Sequence, residues 1–275
     1  ESRTNGHIGL HPGGPVVPTS PARPDALFND DFESGNLSKW SPTLSVIDGG
    51  DLAVSPAAAY QSGYGLKALI DDTTSIKAVD LSPASEAHYR AIFHFDPNSI
   101  SMSNGTAHYI LDGFNEYDSD IIFRLELMYE NGQYKIRPYV MNDAWGNVSG
   151  SKYPISDDWH MIEIEWKRAS APGVNDGLFS LWIDETLAGT LANIDNDASY
   201  NTLDEVRLGA TSGIDSTTSG STYFDGFVSH RETYIGSGTI TPTVTPTPLP
   251  SSGTVSIPIA AGNDDVEESN TGWMY

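Results

Sequence analysis

The chain has 275 residues, with 14 Lys and Arg against 37 Asp and Glu, a net charge of -23, and no cysteine. Such a surface repels nucleic acid and anionic membranes, which excludes both as partners. Without cysteine there is neither a disulfide framework nor a cysteine metal site, and no stretch reaches the roughly 20 apolar residues that a membrane span needs.

The chain begins at Glu1, which reads equally as a processed N-terminus or as a piece of a longer protein. Residues 1–26 lack the apolar content of a core. Ile8 and Leu10 alternate as a short strand does, and Pro12, Pro15, Pro18, Pro21 and Pro24 then recur at every third residue. That spacing matches the three-residue turn of polyproline II and predicts an extended arm.

From about Leu27 to Gly236 the apolar period is two. Tyr89, Ala91, Phe93 and Phe95 alternate with His88, Arg90, Ile92 and His94. Ile121, Phe123, Leu125, Leu127 and Tyr129 oppose Arg124, Glu126 and Glu130, and His160, Ile162, Ile164 and Trp166 oppose Met161, Glu163, Glu165 and Lys167. Phe179, Leu181 and Ile183 make a fourth run. Each reads as a half-buried antiparallel strand, and Asn131-Gly132 reads as the clearest hairpin turn. Many strands with no long amphipathic helix predict an all-β sandwich or barrel.

Residues 237–253 form a Thr/Pro-rich linker, whose Thr241, Thr243, Thr245 and Thr247 are candidate O-glycosylation sites. In residues 254–275, Val255, Ile257 and Ile259 alternate again, but Pro258 confines such a strand to a sheet edge. This short segment cannot bury its apolar face alone, so it docks on the body or on another molecule, or it opens a further domain.

Asn29-Asp30-Asp31-Phe32-Glu33-Ser34-Gly35-Asn36-Leu37-Ser38-Lys39-Trp40 and Tyr223-Phe224-Asp225-Gly226-Phe227-Val228-Ser229 resemble the first and last strands of LamG-like, concanavalin A-like jelly rolls of bacterial surface proteins. Asp157-Asp158-Trp159-His160-Met161-Ile162-Glu163 and Leu181-Trp182-Ile183-Asp184 resemble the central strands of that family. The resemblance covers residues 27–236 and implies an antiparallel jelly-roll β-sandwich. It also implies a structural calcium ion clipping the two ends of the domain, with Asp31, Glu33 and Asp225 as ligands.

Relatives of this fold that hydrolyse glycosides carry Glu-x-Asp-x-x-Glu on one strand. Here Glu163-Ile164-Glu165-Trp166-Lys167-Arg168 lacks the middle Asp and the last Glu, so it reads as the solvated face of a strand. Tyr89-Arg90 and Trp159-His160 are only fragments of the alginate-lyase pattern. These departures lead to the expectation that the chain is not an enzyme. A sugar site is expected where aromatics stand in polar loops, at Trp145, Tyr60 and Tyr64. Asn36, Asn104 and Asn147 open glycosylation sequons in predicted turns. The histidines lack metal-binding spacing.

The arms give the functional expectation. An edge strand on a flexible linker suits donation into the sheet of a neighbouring copy, from Val255, Ile257 and Ile259 or from Ile8 and Leu10. Repeated head to tail, that contact builds an extracellular or cell-surface filament whose partners are other copies of the chain. The alternative is a carbohydrate-binding module of a cell-surface protein, with glycans as partners.

Overall fold

The computed structural model describes residues 23–61, 63–115 and 120–236. In chain order its strands are β1 (Ala26–Asp30), β2 (Leu52–Ser55), β3 (Gly65–Ile70), β4 (Ile76–Asp80) and β5 (His88–Asp96). There follow β6 (Ala107–Asn115), β7 (Asp120–Glu130), β8 (Gln133–Met141), β9 (Asn147–Ser149) and β10 (Tyr153–Ile155). The last are β11 (His160–Lys167), β12 (Gly177–Ile183), β13 (Thr186–Ile194), β14 (Glu205–Ser212) and β15 (Gly220–His230). They form two antiparallel sheets packed as a jelly-roll β-sandwich. The first has the order β13-β12-β11-β5-β15-β3-β2, with β1 paired to β15, and the second has the order β10-β8-β7-β6-β14-β4, with β9 paired to β8.

The period-two pattern explains the layers. Phe93, Phe95, Ile162, Ile164, Trp166, Phe179 and Leu181 of the first sheet and Phe123, Leu125 and Leu127 of the second are all fully buried in one cluster. Their odd-or-even partners face outward. The Asn131-Gly132 turn closes the β7–β8 ladder at Glu130↔Gln133, and both of its residues have positive φ, 55° and 79°. This is the two-residue turn that the twist of a hairpin favours.

An aromatic clip joins the ends of the domain. β1 pairs with β15 from Ala26↔His230 to Asp30↔Phe227. The buried Trp40 packs edge-on to Phe28 and Phe227 and stacks on Phe32. Its indole N–H donates to Asp30 Oδ2 at 2.7 Å. After β15 the chain turns back as a strap over the outer face of the first sheet. Ile235 and Gly236 donate their backbone N–H groups to the Glu163 carboxylate, each at 3.1 Å, and Tyr234 packs on Trp182.

Asp80 ends β4 inside this structure, 1 % exposed. Oδ1 accepts from Ser82 N at 2.8 Å, while Oδ2 has no partner. Burial raises its pKa to about 6, opposed by the Ser82 contacts. A folded pKa above the unfolded value disfavours the charged form. Stability should therefore fall as pH rises from about 4 to about 6, by roughly 3 kcal/mol from this group, and stay level above that. Asp80→Asn should remove this descent. Denaturant titrations giving the same slope for both proteins across that window would refute the assignment.

Candidate functional site

The outer face of the second sheet gathers polar and aromatic side chains in register. Across β14, β6, β7, β8 and β9 one row reads Arg207, Asp112, Arg124, Tyr139 and Ser149. The next row reads Ser212, Tyr109, Glu126 and Arg137. Strand alternation puts these on the face opposite the core, and pairing across the ladder makes them neighbours.

The two rows are locked together by charge and ring contacts. The Arg124 guanidinium lies over the Tyr109 ring, 4.0 Å from its centroid, and Nε donates to Asp112 Oδ1 at 3.0 Å. Arg124 also donates to Ser212 Oγ at 3.1 Å. Arg137 lies over the Tyr139 ring at 4.9 Å and reaches Ser149 Oγ at 2.8 Å. The two tyrosine rings meet edge to face at 6.0 Å. The Tyr139 hydroxyl donates to Glu126 Oε2 at 2.9 Å, and burial together with that carboxylate pushes its pKa up to about 12. Burial likewise raises Asp112, opposed chiefly by the Arg124 charge. The face thus carries nearly balanced charge in a chain of -23, with guanidinium groups held over rings.

The sequence-expected sugar residues fall in two places. Trp145, at 70 % the most exposed large apolar side chain described, sits in the β8–β9 turn against Tyr200, at one end of the second sheet. Tyr60 and Tyr64 belong to the loop before β3, against the first sheet. There Tyr60 stacks on His94 with centroids 3.9 Å apart. Burial depresses the His94 pKa to about 4.

Two of the three expected calcium ligands, Glu33 and Asp225, bond that same loop. Glu33 Oε1 accepts from Gly63 N at 2.9 Å and Tyr64 N at 2.8 Å, and Asp225 Oδ2 accepts from Tyr60 N at 2.8 Å. Asp31 Oδ1 accepts from Glu33 N at 3.3 Å. Glu33 and Asp225 thus hold the loop to both ends of the domain. A second group, Asp143, Asp195 and Asp197, has ligand oxygens within 4.8 Å of one another beside the Trp145 turn. Asp143 joins it from far along the chain, which no local pattern announces.

Asn36 and Asn104 lie in exposed loops, whereas Asn147 starts β9 rather than standing in a turn. Glu163, expected in solvent, is 1 % exposed because the strap covers it. The expected donor strands and threonines, at Ile8, Leu10, Thr241, Thr243, Thr245, Thr247, Val255, Ile257 and Ile259, lie outside the described residues. No helix among the described residues is long and apolar enough to cross a membrane.

No family model matches the chain, and no curated protein does. Solved structures do. The chain is similar to an endo-β-1,4-glucuronan lyase from the fungus Trichoderma reesei, with 13% identity over 75% of this chain and 96% of that one, TM-score 0.51. It is similar to an alginate lyase mutant in complex with alginate trisaccharide, with 14% identity over 77% and 100%, TM-score 0.52. It is also similar to the globular domain of T. cruzi calreticulin, with 8% identity over 76% and 88%, TM-score 0.52. At these identities what is shared is the fold. The resemblance to jelly rolls therefore holds at the level of the sandwich, and no family is assigned. The expectation of a chain without catalytic activity is corrected here, since enzymes that cleave polysaccharides share this sandwich. That expectation rested on a missing carboxylate pair. Such a pair serves hydrolysis, and an elimination does not need it. None of these comparisons supports a filament subunit.

Proposed function

We propose that the chain binds a uronate-containing polysaccharide on the outer face of its second sheet and cleaves it by elimination. The observation that carries this reading is the pair of guanidinium groups, Arg124 and Arg137, held over Tyr109 and Tyr139 on the run of strands from β6 to β8. Aromatic rings and planar cations suit a sugar ring that bears a carboxylate. The glucuronan and alginate lyases that share the fold act on polymers named for such sugars.

Elimination needs two things from these side chains. A cation must neutralise the C5 carboxylate so that the C5 proton becomes acidic, which the guanidinium groups supply. A proton carrier must take the C5 proton while the C4–O4 bond breaks, leaving a C4=C5 double bond and a protonated O4. Tyr139 is committed to Glu126, which leaves the Tyr109 hydroxyl as the carrier.

The test is incubation of the full chain with glucuronan, alginate and a neutral β-glucan, following the ultraviolet absorbance of the conjugated product and measuring binding in parallel. The expected result is binding and absorbance with one polyuronate and neither with the glucan. Binding of the neutral glucan alone would overturn the uronate assignment, and binding without product would overturn the elimination.

A further inference from the structure

We propose a second reactive site, at one end of strands β11 and β12 of the first sheet, in which Ser156, His160 and Asp184 form an acyl-transfer triad that cleaves uncharged carboxylic esters. It shares no residue with the face assigned above. Ser156 Oγ lies 2.8 Å from His160 Nε2, and His160 Nδ1 lies 2.7 Å from Asp184 Oδ2. A nucleophile bonded to an imidazole, whose other nitrogen is bonded to a carboxylate, is the arrangement that activates a serine, whatever the chain order.

The tautomer follows from a separate contact. Ser156 N also approaches Nε2, at 3.0 Å. A backbone N–H can only donate, so Nε2 carries the lone pair and Nδ1 carries the proton given to Asp184. That is the form in which histidine can accept a proton from the serine. Asp184 is held in place because its Oδ1 accepts from Met161 N at 2.9 Å. It occupies the tight turn between β12 and β13, where Asp184 and Glu185 both adopt positive φ, 51° and 63°, an uncommon conformation for residues with a side chain. Ser156 is exposed, so an ester can reach it.

A pocket of about 350 Å³ borders the triad and includes Tyr60, His94, Trp159, Asp184 and Glu185 in its lining. Tyr60 and Trp159 stand 5.4 Å apart, centroid to centroid. His94 is uncharged near neutral pH because burial depresses its pKa to about 4. With two carboxylates and no Lys or Arg in the lining, the pocket disfavours anionic esters, and its rings suit a flat, uncharged acyl or alcohol group.

In the reaction Ser156 Oγ adds to the ester carbonyl and its proton passes to His160 Nε2, while Asp184 offsets the imidazolium charge. The C–O bond then breaks and the alcohol leaves with that proton. Water, deprotonated by the same histidine, releases the acid and restores Ser156. The backbone N–H groups of Asp157 and Asp158, next along the turn, have no acceptor among the described residues and are the donors open to the oxyanion. Ser156 and His160 are catalytic in this scheme, and Asp184 is a positioning residue.

The test is exposure of the folded full chain to a fluorophosphonate probe, followed by peptide mass spectrometry, with p-nitrophenyl acetate turnover measured alongside. The expected result is a label on Ser156 and turnover that Ser156→Ala abolishes. Asp184→Asn should lower turnover on the order of 10³- to 10⁴-fold and leave melting unchanged. His160→Asn should suppress the label, and Asp184→Asn replaces that variant in the labelling arm if His160→Asn fails to fold. No label on Ser156, with an unrelated serine hydrolase labelled in the same tube, would show that the histidine merely closes the turn. A label that persists without the histidine or the aspartate would overturn the triad as well.

Discussion

Tyr109→Phe is expected to cut the rate of polyuronate cleavage by roughly 10²- to 10⁴-fold, the range that a lost proton carrier costs, and to leave binding of the same polymer within a few-fold. The substitution deletes one hydroxyl. The ring on which Arg124 lies, 4.0 Å from the centroid, is kept, as is its edge contact with Tyr139. Tyr139→Phe should behave differently. Its hydroxyl serves Glu126, so the loss should appear in stability before it appears in rate. Initial rates of unsaturated product and equilibrium binding to immobilised polymer separate the two quantities. If Tyr109→Phe cleaves at the wild-type rate, proton transfer occurs elsewhere. Arg124→Ala is a poor substitute for this test because it strands the buried Asp112 carboxylate.

Trp40→Ala should cost about 3 to 5 kcal/mol, as emptying a buried tryptophan site does. It removes the ring that Phe28, Phe32 and Phe227 surround. It also takes the indole donor from Asp30, which is 1 % exposed. Trp40→Phe keeps most of the bulk and isolates the hydrogen bond, for which about 1 to 3 kcal/mol is expected. Denaturant titration of both variants measures the difference. A Trp40→Phe loss near zero would mean that the carboxylate finds another donor, for which Lys39, 3.4 Å away, is the candidate.

The alternation of β5, β7, β11 and β12 was legible because each carries bulky apolar residues at every second position. β13 was not, since Thr186–Ile194 is a largely exposed edge with little apolar contrast. Its turn was hidden for a related reason: Asp184-Glu185 adopts positive φ without the glycine or asparagine that usually signals it. The second-sheet face could be predicted only by parity. Which side chains meet depends on register, and bulges between Tyr109 and Leu111 and between Leu208 and Ser212 reset it. Glu163 shows the limit of periodicity most plainly. Its alternation says solvent, and a segment some seventy residues further on says otherwise. Ser156 and His160 are close in sequence, but their partner arrives 24 residues later from a hairpin, so the chain alone could not assemble the three.

The way β1 runs beside β15 bears on how the sandwich would respond to tension between its two ends. Arg231 N bonds Asp25 O, and Ala26 stands opposite His230, so the chain enters β1 and leaves β15 at the same corner before the strap carries it on to Glu163. A pull on the two ends of the described chain meets this antiparallel ladder end-on once the strap has come free. Its hydrogen bonds would part in succession, as in peeling, rather than all together, as in shear. The strap on Glu163 would yield first and the seam between the first and last strands next, with the rest of the sandwich still folded behind them.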